Sequence, residues 1–292
     1  MPYAHISMAN PHFGTIGDVW KHLVLGDLLD RQRPARYWET HAGSGTYTLD
    51  REWEREYGIF TLLREAPRAP SVEASRYLWL VRTLPPADDA EPRYPGSARL
   101  AMEVLGDAAT YLLCDLDTAS VADVTRSVRE LDLADLVRVE HADGIATIHA
   151  AALQLAPSAA AETFVMIDPF DEGQRSADGM DAVDLFQSLA QAGFPTALWH
   201  GYDDAADRDA VRRRVAADGL APHSLDVDTA FLRGESTLNP GVGGCAMLLA
   251  NVPDDDLDHV ERLGRQLAAL YDEALMPDGS PGTLAFTRAD PA

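Results

Sequence analysis

The sequence predicts an α/β fold: one doubly wound, mostly parallel sheet of Rossmann-like type, interrupted by a helical insertion. Three observations predict it. From about residue 97 onward, short apolar segments alternate with amphipathic ones of helix length, the pattern of βαβ units around a parallel sheet. A glycine-rich turn, His41-Ala42-Gly43-Ser44-Gly45, follows the first extended stretch directly. Between that turn and Pro95 lies a segment rich in Glu, Arg, Leu and aromatic residues, with proline-containing breaks at 67–70, 85–86 and 92–95.

Taken in order, Val19, Leu23, Leu25, Leu28 and Leu29 stand near helical spacing, so an amphipathic helix over 16–31 is expected to start close to Asp18. Ala35 to Thr40 is extended and aromatic and runs into the glycine turn. Later strands are expected at 110–114, 137–140, 163–167, 196–200 and 245–251, with helices at 97–106, 118–132, 143–155, 178–192 and 205–218. The Gly- and Pro-punctuated segment 235–244 leads into the last of these strands, so an antiparallel final pair is expected at the sheet edge. The chain thus divides into an α/β domain of residues 1–46 and 96–276, an inserted helical subdomain of 47–95 and a loose tail of 277–292.

Composition narrows the function classes. With 292 residues, 46% hydrophobic and 24% charged, the chain has the makeup of a globular domain with a sizeable core. It has no apolar run of membrane-spanning length and no signal-peptide pattern at its N-terminus, so a cytoplasmic protein without membrane partners is expected. Cys114 and Cys245 sit in separate apolar runs with no CxxC partner, which points to buried thiols and to no metal site. A formal charge of −23 disfavours a nucleic-acid partner, since binding to phosphates draws on Lys and Arg. The acidity is uneven, however: residues 1–100 hold 12 basic and 13 acidic side chains, including eight arginines from Arg51 to Arg99. Lys21 is the sole lysine, a position where a compact ammonium is wanted in place of a guanidinium.

In doubly wound sheets, ligands bind beyond the carboxyl ends of the strands. Those positions carry Gly43-Ser44-Gly45 after the first strand, Asp115 after the second, Asp143-Gly144 after the third and Asp168-Pro169-Phe170-Asp171 after the fourth. A glycine turn admits close backbone approach, and an acid ending the next strand suits two ribose hydroxyls. Glycine loop, ribose acid, adenine-side Asp and Asp-Pro at the fourth strand form the layout that S-adenosylmethionine (SAM) needs. A dinucleotide fits less well, because the third glycine of GxGxxG is missing.

The segments GDVWKH (17–22), THAGSGTY (40–47), RYPGSARLA (93–101), CDLD (114–117), HADGI (141–145), MIDPF (166–170) and GVGGCAMLLANVP (241–253) resemble the RlmJ family, which methylates the N6 nitrogen of an adenine in 23S ribosomal RNA. The resemblance implies a class I SAM-dependent methyltransferase in which His22, His41 and Ser97 contact the cofactor; Lys21, Gly43, Ser44 and Gly45 are expected at the same cofactor site. It assigns Asp115 to the cofactor ribose, Asp143 and Gly144 to its adenine, and Asp168 to the catalytic acid. Tyr3 and His5 match an aromatic and a histidine near the active site. Asp168-Pro169-Phe170-Asp171 departs from the family's Asp-Pro-Pro-Tyr, so Phe170 stands beside the position of the missing aromatic. The broken motif and the acidity favour a small planar nitrogen-containing metabolite over RNA as methyl acceptor, with N-directed transfer by a monomer or homodimer. RNA adenine methylation is the alternative, and a non-catalytic SAM-binding regulator the third reading.

Overall fold

A computed structural model describes residues 12–86, 92–217, 219–220, 222–229, 244–272 and 284–289. An eight-stranded sheet organises them. Its strands are β1 (Arg36–Glu39), β4 (Thr110–Asp115), β5 (Val137–His141), β6 (Thr163–Ile167), β7 (Thr196–Tyr202), β8 (His223–Thr229), β9 (Gly244–Ala250) and β10 (Leu284–Ala289). The order is β10-β8-β9-β7-β6-β1-β4-β5, and a separate two-stranded ribbon joins β2 (Thr46–Thr48) to β3 (Arg93–Pro95).

Strands β5, β4, β1, β6 and β7 run parallel, whereas β9 is antiparallel to β7, β8 to β9 and β10 to β8. From β1 the chain winds outward to β4 and β5, then returns to build β6 and β7 on the other side. The topology therefore switches between β1 and β6, where a doubly wound sheet leaves a crevice at the strands' carboxyl ends. The expected strands at 110–114, 137–140, 163–167, 196–200 and 245–251 are present within a residue or two, and the expected antiparallel edge holds three strands. Part of the expected tail is β10, so 284–289 belongs to the sheet and is no loose end. Residues 230–243, including most of the punctuated segment, lie outside the described residues.

Side chains alternate between two faces, as the strand repeat dictates. One face buries Tyr37, Tyr111, Phe164, Met166, Trp199, Met247 and their neighbours, and the other Trp38, Leu112, Cys114, Val165, Ile167 and Leu198. The first face packs against α1 (Ile16–Gln32), α6 (Ser97–Leu105), α7 (Thr118–Glu130) and α12 (Asp254–Asp272). The second packs against α8 (Gly144–Gln154), α10 (Ala182–Gln191) and α11 (Ala205–Ala216), with the short α9 (Pro157–Ala160) beside them. Both cysteines are buried thiols.

Helix α1 begins at residue 16 and departs from the expected amphipathic pattern: 14 of its 17 residues are buried, among them Asp18, Lys21, His22 and Asp27. It is covered from the solvent side. The His259 ring on α12 sits 2.8 Å from Asp27, Arg31 pairs with Asp256 at 2.7 Å, and Trp20 donates its indole N–H to the Leu225 carbonyl and meets Phe286 of β10 edge-on. The insertion encloses the other flank. Its short helices, α2 (Trp53–Arg55), α3 (Thr61–Glu65), α4 (Pro70–Glu73) and α5 (Arg76–Thr83), hang from the β2–β3 ribbon, and α5 packs on α1 and α6. Among the described residues no helix is long and apolar enough to cross a membrane.

Leu28 is fully buried in the C-terminal half of α1. Leu28→Ala should lower stability by about 2–5 kcal/mol, through lost transfer free energy and a residual cavity. Urea unfolding measures the loss, and a change under ~1 kcal/mol would contradict the central place of this helix.

Candidate active site

The crevice at the switch point is lined by Phe13, Asp18, Lys21, His22, His41, Ala42, Gly43, Tyr47, Gly96, Ser97 and Asp168. Each arrives from a separate element. Helix spacing places Asp18, Lys21 and His22 on one face of α1. Ladder-continuing bonds, Thr40 N–H to the Met166 carbonyl at 3.1 Å and Ala42 N–H to the Cys114 carbonyl at 2.8 Å, hold the loop after β1 against β6 and β4. Asp168 follows β6 immediately.

The centre of the site is a chain of opposite charges. Lys21 Nζ lies 2.7 Å from Asp168 Oδ2 and 3.0 Å from Asp18 Oδ1, and the three side chains are between 7% and 12% exposed. Burial alone would lower the Lys21 pKa, but attraction to Asp168 and Asp18 outweighs it and raises the pKa, so the ammonium persists at neutral pH. Burial opposes ionisation of Asp18 as well, yet His22, charged only in acid, together with Lys21 and the Gly14 N–H brings its carboxyl down to about 2. His22 goes the other way: burial depresses it to about 4, leaving a neutral imidazole.

The glycine loop owes its shape to specific ties. Gly43 adopts φ +56°, a left-handed conformation that L side chains resist, and its N–H donates to Asp115 Oδ2 at 2.8 Å. Asp115 Oδ1 accepts the Asp117 N–H at 2.8 Å, so this acid braces both the loop and the start of α7. Ser44 N–H donates to the Tyr47 hydroxyl, and Gly45 accepts the Gly96 N–H at 2.9 Å, joining the loop to the far end of the insertion. Asp143 caps α8 through the N–H groups of Ile145 and Ala146. A Cβ on Gly144 would lie 1.9 Å from the Thr40 carbonyl oxygen, so glycine is demanded there by backbone contact.

Of the residues expected at a cofactor site, Lys21, His22, His41, Gly43, Ser97 and Asp168 converge on one crevice. Asp115, Asp143 and Gly144 lie outside its lining, farther along the same sheet edge at the ends of β4 and β5. Pro169 is buried, whereas Phe170 is 70% exposed beside Asp168. Asp171 accepts the Gly173 N–H at 2.9 Å and is spent on a local turn. Tyr3 and His5 lie outside the described residues.

Sequence reading missed Asp18, Phe13, Tyr47 and the buried Glu39. Asp18 had a signal, its spacing of three and four residues from Lys21 and His22. Phe13 stacks on Tyr47 with centroids 4.6 Å apart, a contact across the insertion that spacing cannot show.

The sequence profile of the family described as "Ribosomal RNA large subunit methyltransferase D, RlmJ" matches residues 32–274. The chain belongs to this family. It is 28% identical over 167 residues to ribosomal RNA large subunit methyltransferase J of Escherichia coli strain K12. That match covers 54% of this chain and 56% of the relative, so the chain spans little more than half the length of the curated RlmJ relative it matches. A crystal structure of a Legionella pneumophila protein superposes with a TM-score of 0.73 at 20% identity, covering 96% of this chain and 99% of that one, which shows the shared fold. The fold is that of class I SAM-dependent methyltransferases, as expected. Membership in a family described by ribosomal RNA methylation overturns the expectation that a small-molecule acceptor outranks RNA. That expectation took net charge as a guide to partners, but net charge sums the whole surface, whereas recognition is local to the crevice.

Burial pushes the Glu39 carboxyl up from its ordinary value of 4.5 to about 8, against the pull of the Ser97 and Tyr37 hydroxyls. The folded state thus holds a proton that the unfolded chain releases, so this contribution to stability is complete below pH 4.5 and is lost as pH rises through about 8. Glu39→Gln should flatten the decline in stability between those limits. Unfolding free energies across that range test it, and an identical slope in both proteins would refute the assignment.

Proposed function

We propose that this RlmJ-family chain is a SAM-dependent methyltransferase that modifies the N6 nitrogen of an adenine in large-subunit ribosomal RNA. The observation that carries the reading is Asp168, placed at the switch point and tied to Lys21 in a crevice floored by the glycine loop. The residues suit the cofactor: with His22 neutral, Asp18, Lys21 and Asp168 sum to one negative charge, favourable for a sulfonium-bearing ligand. His22, His41, Gly43 and Ser97 would hold its amino-acid end. Asp115, Asp143 and Gly144 would face its nucleoside. SAM supplies an electrophilic methyl group.

The chain's task is to present the acceptor nitrogen in line with that methyl group. Lys21 occupies Asp168 Oδ2, and Oδ1 makes no hydrogen bond among the described residues. That oxygen and the Pro169 carbonyl would each accept one N–H of the exocyclic amine, drawing its lone pair out of conjugation and stabilising the positive charge that develops. Exposed Phe170 offers a ring on which an extruded base can stack, taking over the role of the aromatic replaced by Asp171. The Arg55 guanidinium lies 4.0 Å from the centre of the ring of Phe13, which lines the crevice.

Incubation with a 23S ribosomal RNA transcript and labelled SAM should yield N6-methyladenosine; an RNA left unmodified would overturn the acceptor assignment. Asp168→Ala should cut turnover by at least about a hundredfold while SAM still binds. Near-normal turnover by that variant would remove Asp168 from the chemistry.

A further inference from the structure

His22 is 2% exposed and its two ring nitrogens differ sharply. Nδ1 lies 2.9 Å from the Tyr94 hydroxyl, which lies 2.9 Å from the Tyr77 hydroxyl. Nε2, on the other edge of the ring, has no hydrogen-bond partner among the described residues, and His22 lines the crevice. Both tyrosines are fully buried, and both belong to the insertion, Tyr77 on α5 and Tyr94 on β3.

Counting protons orders this chain. Among the described residues the Tyr77 hydroxyl makes one side-chain hydrogen bond, to Tyr94, and a buried hydroxyl left without an acceptor costs free energy, so Tyr77 donates to Tyr94. The Tyr94 proton is then directed to Nδ1 at 2.9 Å. Asp18 is the competing acceptor, for the Tyr94 hydroxyl and, at 3.5 Å, for the same nitrogen, but its Oδ2 already accepts the Gly14 N–H at 2.9 Å and its Oδ1 the Lys21 ammonium at 3.0 Å, so the closer Nδ1 takes the Tyr94 proton. An imidazole that accepts at Nδ1 and is neutral carries its proton on Nε2. The crevice therefore receives a buried N–H donor that no described residue satisfies.

A second feature points to the same ligand chemistry. Helix α6 starts at the crevice: Gly96 is its N-cap and has no side chain to cap it, and Ser97 opens the first turn. First-turn N–H groups and the positive end of the helix dipole favour an anion. The first-turn N–H groups of α6 and His22 Nε2–H together match a carboxylate.

We propose that Tyr94, backed by Tyr77, is a positioning residue that fixes His22 in its Nε2–H tautomer and so presents a donor to the carboxylate at the amino-acid end of the cofactor. This rests on the SAM reading above. It gives the insertion a part in cofactor binding.

Nitrogen-15 NMR of the ligand-free protein, with the His22 signals assigned by their loss in His22→Gln, should show the Nε2–H form. Tyr94→Phe should shift His22 toward the other tautomer and weaken SAM binding by about tenfold, the worth of one charge-assisted hydrogen bond. Binding of methylthioadenosine, which lacks the amino-acid end, should stay within about twofold, because the lost contact is worth its tenfold only to a ligand that carries the carboxylate. An Nδ1–H tautomer in the unaltered protein, or equal weakening of both ligands by Tyr94→Phe, overturns the proposal. If SAM fails to bind the unaltered protein, the cofactor reading falls, while the ligand-free spectrum still decides the tyrosine assignment by itself.

Discussion

The ammonium of Lys21, held between the carboxylates of Asp18 and Asp168 and shut away from water, constrains everything around it. Removing three charges from solvent is costly, and the arrangement survives only if each finds its partner at short range. That requirement joins α1 to the end of β6, residues 147 positions apart in the chain. It also explains why α1 is covered everywhere except where Asp18, Lys21 and His22 line the crevice. If water reached the cluster, the attraction between these charges would be screened and Asp168 would lose its fixed orientation. The Asp27–His259 and Arg31–Asp256 contacts, the Trp20–Phe286 contact and the packing of α5 all keep the helix in place.

The same cluster explains how an acidic chain can belong to a family described by ribosomal RNA methylation. Charge at the crevice is set by three side chains and sums to one negative unit, suited to a cationic cofactor, whatever the remainder of the surface carries. Part of the acidity lies on α12, where Asp254, Asp255, Asp256, Asp258 and Glu261 stand together and Asp256, Asp258 and Glu261 pair with Arg31, Arg265 or Arg288. The altered motif after Asp168 leaves the carboxylate and the following carbonyl in place, and changes the side chains beyond them.

The insertion is built into the crevice at both of its ends. It departs after Gly45 and returns at Gly96, two residues joined by a hydrogen bond, and it sends Tyr77 and Tyr94 inward to His22 and Tyr47 to the crevice lining. Movement of the insertion would therefore alter the hydrogen bonding of a crevice residue.

The parallel strands and the helices between them were legible in the sequence, because apolar runs bounded by turns report local geometry directly. The glycine loop and the acids ending β4 and β6 were legible for the same reason: a sheet of this type sends its loops to one edge. Three features were not. Strands β8 and β10, neither of them among the expected strands, pair across a long separation that local pattern does not report. Helix α1 shows apolar spacing like any surface helix, and nothing local tells that α12, β10 and the insertion bury its polar face. The Lys21–Asp168 bond and the Tyr77–Tyr94–His22 chain likewise exist only because distant segments are packed together. Residue pattern determines which elements form and which edge is polar, since those follow from short-range sterics and hydrophobic period. Tertiary structure alone decided which charges meet and which nitrogen of His22 is left open, because burial and pairing depend on neighbours that are remote in the chain.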